Sequence, residues 1–167
     1  MKSSPRSRAG RIVSALIFAL LWSGTTSAQD FGTGLSAFNG GDYGRARQIW
    51  EPLAGRGDAR SQAGLGFMLL RGLGAPEDYA GARGLFESAA KQGQAEAQLM
   101  LGVMYFFGQG VEQSYVWAFA WCELAQINGN PEGSFCRDAA GGSMTDQSQM
   151  SESFRLVQRL LAEQQKR

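Results

Sequence analysis

Ser88-Ala89-Ala90-Lys91 spells S-x-x-K, which on a helix sets a hydroxyl and an amine one turn apart, as a nucleophile and its base require. Penicillin-recognising enzymes use that spacing together with S-D-N and K-T-G motifs, and the chain has neither. It also has no histidine, which removes Ser-His-Asp and Cys-His chemistry. Glu77-Asp78 and Glu112 are candidate acid/base carboxylates, but acidic residues that open helices are ordinary. Cys122 and Cys136 stand 14 positions apart. Two thiols without histidine make no metal site, and no metal or cofactor is expected. An even cysteine count permits a disulfide, the preferred reading over two buried free thiols. Finally, Leu101–Val111 (LGVMYFFGQGV) ends in Gly-x-Gly and raises the question of a strand running into a phosphate-cradling loop.

The elements that hold these residues answer the last question. Shifted by 36 positions, Leu101-Gly102 falls on Leu65-Gly66, Met104 on Met68, and Gly108 and Gly110 on Gly72 and Gly74. Tyr115, Ala118, Ala125 and Gly129 fall on Tyr79, Ala82, Ala89 and Gly93, and a further shift reaches Tyr43, Ala46, Leu53 and Gly57. A nucleotide loop would occur once, whereas this glycine pair belongs to a periodic unit. Within each unit the apolar and small residues follow helical spacing, for example Ala97, Leu101, Met104, Tyr105 and Gly108. A second stripe, Tyr115, Ala118, Cys122 and Ala125, begins near Gln113-Ser114 and closes at Gly129. The spacing therefore predicts two antiparallel helices per unit, with Gly-x-Gly as the turn between them. Gly66 and Gly102 fall inside helices, where glycine costs about 1 kcal/mol against alanine. Close approach of the partner helix is the expected reason.

The N-terminus carries Lys2, Arg6, Arg8 and Arg11, then the short apolar run Ile12–Trp22, then small residues at Thr25–Ala28. That order reads as a signal peptide over residues 1–28, cleaved after Ala28, and the apolar run is shorter than the ~20 residues a bilayer span needs. Cleavage removes four basic and no acidic residues, leaving 12 basic against 15 acidic and a net charge of −3. An acidic mature chain argues against nucleic acid as a partner. Toward the C-terminus, Pro131–Ala140 predicts a helix that brings Cys136 toward Cys122. Thr145 is the expected N-cap of a last helix over residues 146–165, with Met150, Phe154, Val157 and Leu161 on one stripe. A helix with one polar face suits the exposed end of a repeat stack.

The pattern A-x-A-x-x-x-LG-x-MY-x-x-G-x-GV, followed by a tyrosine, spaced alanines and a closing glycine, resembles Sel1-like repeats, relatives of the tetratricopeptide repeat. The resemblance implies an all-α fold: a short right-handed α-solenoid of antiparallel helix pairs with a C-terminal capping helix. Its expected units are a degenerate first pair at 29–57, repeats at 58–93 and 94–129, and a helical cap at 130–167. By analogy with the tetratricopeptide arrangement, the first helix of each pair lines a concave face. Phe31, Leu35, Phe38 and Asn39 would line it in the first unit, and Arg60, Phe67, Leu70 and Arg71 in the second. Glu96, Leu99, Val103, Phe106 and Phe107 would follow in the third. Such a row of large apolar groups suits a peptide or partner helix, or packs against the neighbouring unit and the terminal helix.

Two function classes follow. The first is a non-enzymatic adaptor or regulator, exported to the periplasm or secreted, that binds a protein or peptide partner in the cell envelope. The second is a β-lactam-binding or hydrolysing enzyme of the cysteine-rich type in this family. Those members carry a disulfide in each repeat, whereas Phe86 and Trp50 occupy the places that match Cys122. Carbohydrate recognition is a third idea, with aromatics available to stack on sugars but no clear platform in the sequence.

Overall fold

The computed structural model describes residues 26–166, so residues 1–25 of the expected signal segment lie outside the described residues. The described residues form eight helices and no strand: α1 (Thr26–Asn39), α2 (Tyr43–Gly55), α3 (Ala59–Leu70), α4 (Tyr79–Ala90), α5 (Ala95–Phe107), α6 (Tyr115–Ile127), α7 (Gly133–Gly142) and α8 (Gln147–Gln164). The order is that of an α-solenoid: α1 pairs with α2, α3 with α4, α5 with α6, and each pair packs on the next.

Side-chain caps set the helix starts. Asp42, Asp58 and Asp78 accept hydrogen bonds from the backbone N–H groups of Arg45, Ser61 and Gly81, and Gln94 and Ser114 do the same for Ala97 and Trp117. Each cap satisfies a first-turn donor that the helix itself cannot. The Gly-x-Gly turns have two separate jobs. Gly108 takes a left-handed conformation (φ +70°) and stops α5. Gly110, also at positive φ, lies so close to Tyr79 that an added Cβ would sit 2.6 Å from the tyrosine Cβ. Gly74 meets Tyr43 in the same way, at 3.0 Å. The second glycine is thus a contact between units, with the tyrosine that opens the preceding unit's second helix.

Mid-helix glycines admit the largest core side chains. An added Cβ on Gly66 would fall 2.8 Å from the Phe86 ring, and one on Gly102 would collide with Cys122 Sγ. The first unit shifts the theme by one turn: Trp50 is received between Gly34 and Gly64. Trp50, Phe86 and Cys122 are each at most 2% exposed, and they occupy one register 36 residues apart.

A second periodic device is polar. Buried Gln62 donates from Nε2 to the Ala54 carbonyl (3.1 Å) and accepts at Oε1 from Gln92 Nε2 (3.0 Å). One period later, Gln98 donates to the Ala90 carbonyl (3.1 Å) and accepts from Asn128 Nδ2 (3.0 Å). Each amide, hydrogen-bonded at both its nitrogen and its oxygen, joins the end of one unit, the first helix of the next and that unit's closing turn, so neither atom is buried without a partner.

At the C-terminal end α7 packs on α6. Gly133 touches the α6 backbone, Cys122 and Cys136 form a disulfide with 5.7 Å between Cα atoms, and Arg137 donates to Glu123 (2.9 Å). The N-cap of α8 is Asp146 rather than the expected Thr145, because the carboxylate reaches the N–H groups of Ser148 (2.7 Å) and Gln149 (3.0 Å). Thr145 lies one residue outside, its N–H held by Gln149 Oε1 (2.8 Å). The inward stripe of α8 runs through Ser153, Leu156 and Val157, all buried. Phe154 stays 53% exposed at the rim, its ring edge on Phe119 (centroids 5.4 Å), because small Ser153 takes the closest approach instead. Among the described residues no helix is long and apolar enough to cross a membrane.

Candidate functional site

The first helices α1, α3 and α5 share a face that carries a groove of about 310 Å³. Phe31, Leu35 and Phe38 of α1 form one wall, Arg60 and Phe67 of α3 the floor, and Glu96 and Met100 of α5 the far side. The aromatic wall is pre-organised. Phe31 stacks on Trp50 (5.5 Å), and Phe38 meets Tyr43, Trp50 and Phe67 at 5.5, 5.7 and 6.1 Å. Trp50 Nε1 donates to the Phe31 carbonyl (3.2 Å), which fixes α1 against α2. The Arg60 guanidinium lies over the Phe31 ring, 4.7 Å from its centroid, and 3.9 Å from Asp58. At the opposite edge Glu96 accepts from Asn130 (2.9 Å). Burial, and then the nearby Glu132 carboxylate, push the Glu96 carboxyl above the usual range, and the Asn130 hydrogen bond partly offsets them.

The structure thus gathers Phe31, Leu35, Phe38, Arg60 and Phe67, together with Glu96, from the residues expected on the concave face. The others lie elsewhere. Leu70 and Leu99 point into the core, 8% and 4% exposed. Arg71 caps the end of α3 at the surface, and Asn39 is exposed at the end of α1. Val103 is half-buried. Phe106 packs on the buried cluster of Ala118, Phe119 and Ala140, and touches Tyr115 and Phe107. Phe107 is 65% exposed and lies outside the groove. Five groove residues escaped sequence reasoning: Trp50, which reaches through from a second helix, Gly64, whose missing side chain makes room for it, and Ala63, Gln94 and Met100. A glycine facing the aromatic register was the available signal.

The expected competitor for this face, α8, docks on α6 and reaches the end of α4, where Gln164 donates to the Ala90 carbonyl (3.0 Å). It covers second helices and leaves the groove open.

Elsewhere, Ser88 is exposed near the end of α4 and Lys91 caps that helix, with no hydrogen bond between their side chains among the described residues. Asp78 is occupied as an N-cap, and Glu77 accepts from the Tyr79 hydroxyl (2.9 Å), which raises the tyrosine pKa. Both groups serve the helix start. No group of three or more metal-ligating side chains occurs among the described residues.

Comparison with known proteins agrees with this architecture. The Sel1 repeat profile matches residues 59–94 and 95–129. No curated protein matches the chain. Among solved structures, the chain is similar to c5321, a protective antigen of uropathogenic Escherichia coli with an SLR fold. The TM-score is 0.78 at 28% identity, over 83% of this chain and 30% of that one. It also shares the fold of a Sel1 repeat protein from Oxalobacter formigenes, with a TM-score of 0.63 at 21% identity, over 78% of this chain and 55% of that one. The chain therefore spans about a third and about half of the lengths of these two proteins. The 36-residue period, the paired helices and the profile agree that the chain carries two Sel1 repeats in tandem, at residues 59–94 and 95–129.

Proposed function

We propose that the chain is a non-catalytic interaction module of the bacterial envelope that seats a peptide or helix of a protein partner in the α1/α3/α5 groove. A Sel1 solenoid is a scaffold for protein–protein interaction, and the groove gives that general role a place. The observation that carries the reading is the row Phe31, Leu35, Phe38 and Phe67, uncovered among the described residues, with α8 docked elsewhere. Large apolar groups left open on a rigid face, with an arginine and a carboxylate at its edges, suit the apolar stripe of a partner segment. The positively charged start, short apolar run and small residues before Ala28 support export, and the Cys122–Cys136 pair suits an oxidising compartment.

A photo-crosslinking amino acid placed at Leu35, which is 40% exposed, tests the groove in cells. The expected result is a discrete adduct from Leu35, none from the exposed off-groove position Phe107, and loss of the Leu35 adduct on Phe67→Glu while the fold persists. Equal adducts at the two positions, or an adduct that survives Phe67→Glu, would overturn the groove. N-terminal sequencing of protein from a periplasmic extract tests export, with Gln29 expected as the first residue.

A further inference from the structure

A second cleft, separate from the groove, lies between α4, the end of α5 and the start of α6, with a volume of about 450 Å³. Its lining differs in kind from the groove. Tyr105 and Trp117 present aromatic rings, and Arg83, Glu112, Gln113 and Ser114 surround them with polar groups. The two rings belong to a rigid stack that runs into the core. Tyr105 lies on Trp117 (5.6 Å, 19° between planes), and Trp117 on Trp121 (6.4 Å, 25°). Gln113 is fixed from below by donating to the Phe106 carbonyl (2.7 Å), which leaves its side-chain oxygen available.

Several polar atoms here have no use in the fold. The Tyr105 hydroxyl, Trp117 Nε1 and the Glu112 carboxylate have no hydrogen-bond partner among the described residues. Burial and the adjacent Glu87 hold the Tyr105 hydroxyl protonated, and so able to donate. The cleft thus offers donors from Tyr105, Trp117 and Arg83 and acceptors from Glu112 and Gln113, around rigid aromatic surface. Arg83 is already matched by Glu87 at 3.4 Å, so Glu112 leaves the site net negative.

We infer that this cleft binds one ring of a neutral saccharide. A pyranose has an apolar C–H face for Tyr105, the outer ring of the stack, and a ring of hydroxyls that donate and accept at once, which is what the unpaired groups, the Trp117 indole N–H among them, need. A negative site disfavours uronic acids, phosphates and sulfates. The volume falls within the roughly 300–1,000 Å³ of small-molecule sites. The site is independent of the groove, so the chain holds a protein partner on one face and a glycan on another.

The test is titration of the full chain, 15N-labelled at tryptophan, followed through the indole N–H resonances. The probes are cellohexaose, maltohexaose, chitohexaose and, as the anionic comparison, hexagalacturonate. The expected result is a saturable shift of the Trp117 indole signal with at least one neutral probe. Glu112→Ala, an exposed substitution, weakens that binding by about tenfold or more, the usual effect of losing a hydrogen bond to a charged group. Trp117→Phe keeps a ring in the stack, removes the donor and also weakens binding. No saturable shift with any neutral probe, a shift with hexagalacturonate alone, or neutral-probe binding indifferent to Glu112→Ala would overturn the inference.

Discussion

Replacing Gly66 by alanine sets two physical effects against each other. Alanine is the better helix former by about 1 kcal/mol, so in open space the substitution stabilises. Gly66 is not in open space: its new Cβ would fall 2.8, 2.9 and 3.1 Å from three atoms of the Phe86 ring, and Phe86 is fully buried. The ring cannot withdraw without moving its own neighbours, and overpacking of this kind costs about 1–3 kcal/mol. With the propensity gain subtracted, Gly66→Ala should destabilise by up to about 2 kcal/mol, or up to about 8 °C in Tm for a chain of this size. Gly84, on the outer side of α4, is the control, since nothing lies within 4 Å of its added Cβ. There the same substitution should stabilise by about 0.4–1 kcal/mol. Thermal and urea denaturation of both variants, and of Gly66→Ala combined with Phe86→Leu, supply the numbers. The double variant should lose less than the sum of the two single changes, because the smaller side chain vacates the space the methyl needs. A Gly66→Ala protein as stable as the Gly84→Ala protein, or strict additivity with Phe86→Leu, would refute the claim that this glycine exists to admit the ring.

Three further outcomes follow from the packing. Gln98→Leu strands Asn128 Nδ2 and removes a donor from Ala90, and should cost about 1–3 kcal/mol in urea denaturation, while exposed Gln48→Leu costs little. Cys136→Ser opens a loop with a sequence separation of 14 and should cost about 3 kcal/mol; wild-type Tm should fall by a similar amount in reductant and the variant's should not move. Asp146 is held below its ordinary value of 3.8, first by the Ser148 side chain and then by backbone N–H groups. Its folded-state pKa is lowered, so its contribution is complete above that ordinary value and disappears as pH falls through the folded value. Amide exchange in the first turn of α8 should therefore accelerate at low pH, and Asp146→Asn should remove that part of the acid dependence.

Periodicity was the most legible part of this chain, because a contact made between units must be written once per unit. Gly66 and Gly102, the Asp-Tyr helix starts and the Gly-x-Gly turns all repeat at 36 and all carry inter-helix contacts. The Gln62/Gln98 ladder repeats equally well, yet nothing in the residue type signals burial; only the three-dimensional arrangement supplies the carbonyl that makes it cheap. The groove was legible in part. Alternation within a helix shows which residues are apolar, but whether Leu70 or Phe67 faces out depends on how far one pair rotates against the next. The chain ends broke the rule for a similar reason. The expected row through Val103, Phe106 and Phe107 gave way where Phe106 packs on the cluster of α6 residues and Ala140 of α7 instead. Thr145 lost the cap to Asp146 because a carboxylate one residue later reaches two donors.

The glutamine ladder has a consequence for how such a protein can change length. Every seam between units is built from the same parts in the same register: a carbonyl at the end of one pair, a buried amide in the next first helix, and an amide from the closing turn. Excising or duplicating 36 residues would rejoin one such seam to another without inventing a contact, whereas a change that is not a multiple of 36 would strand its polar groups. The two similar structures, of which this chain spans 30% and 55%, are longer proteins of the same fold. Length in this architecture is therefore quantised, and gain or loss of a whole unit alters reach while leaving the chemistry of each joint as it was.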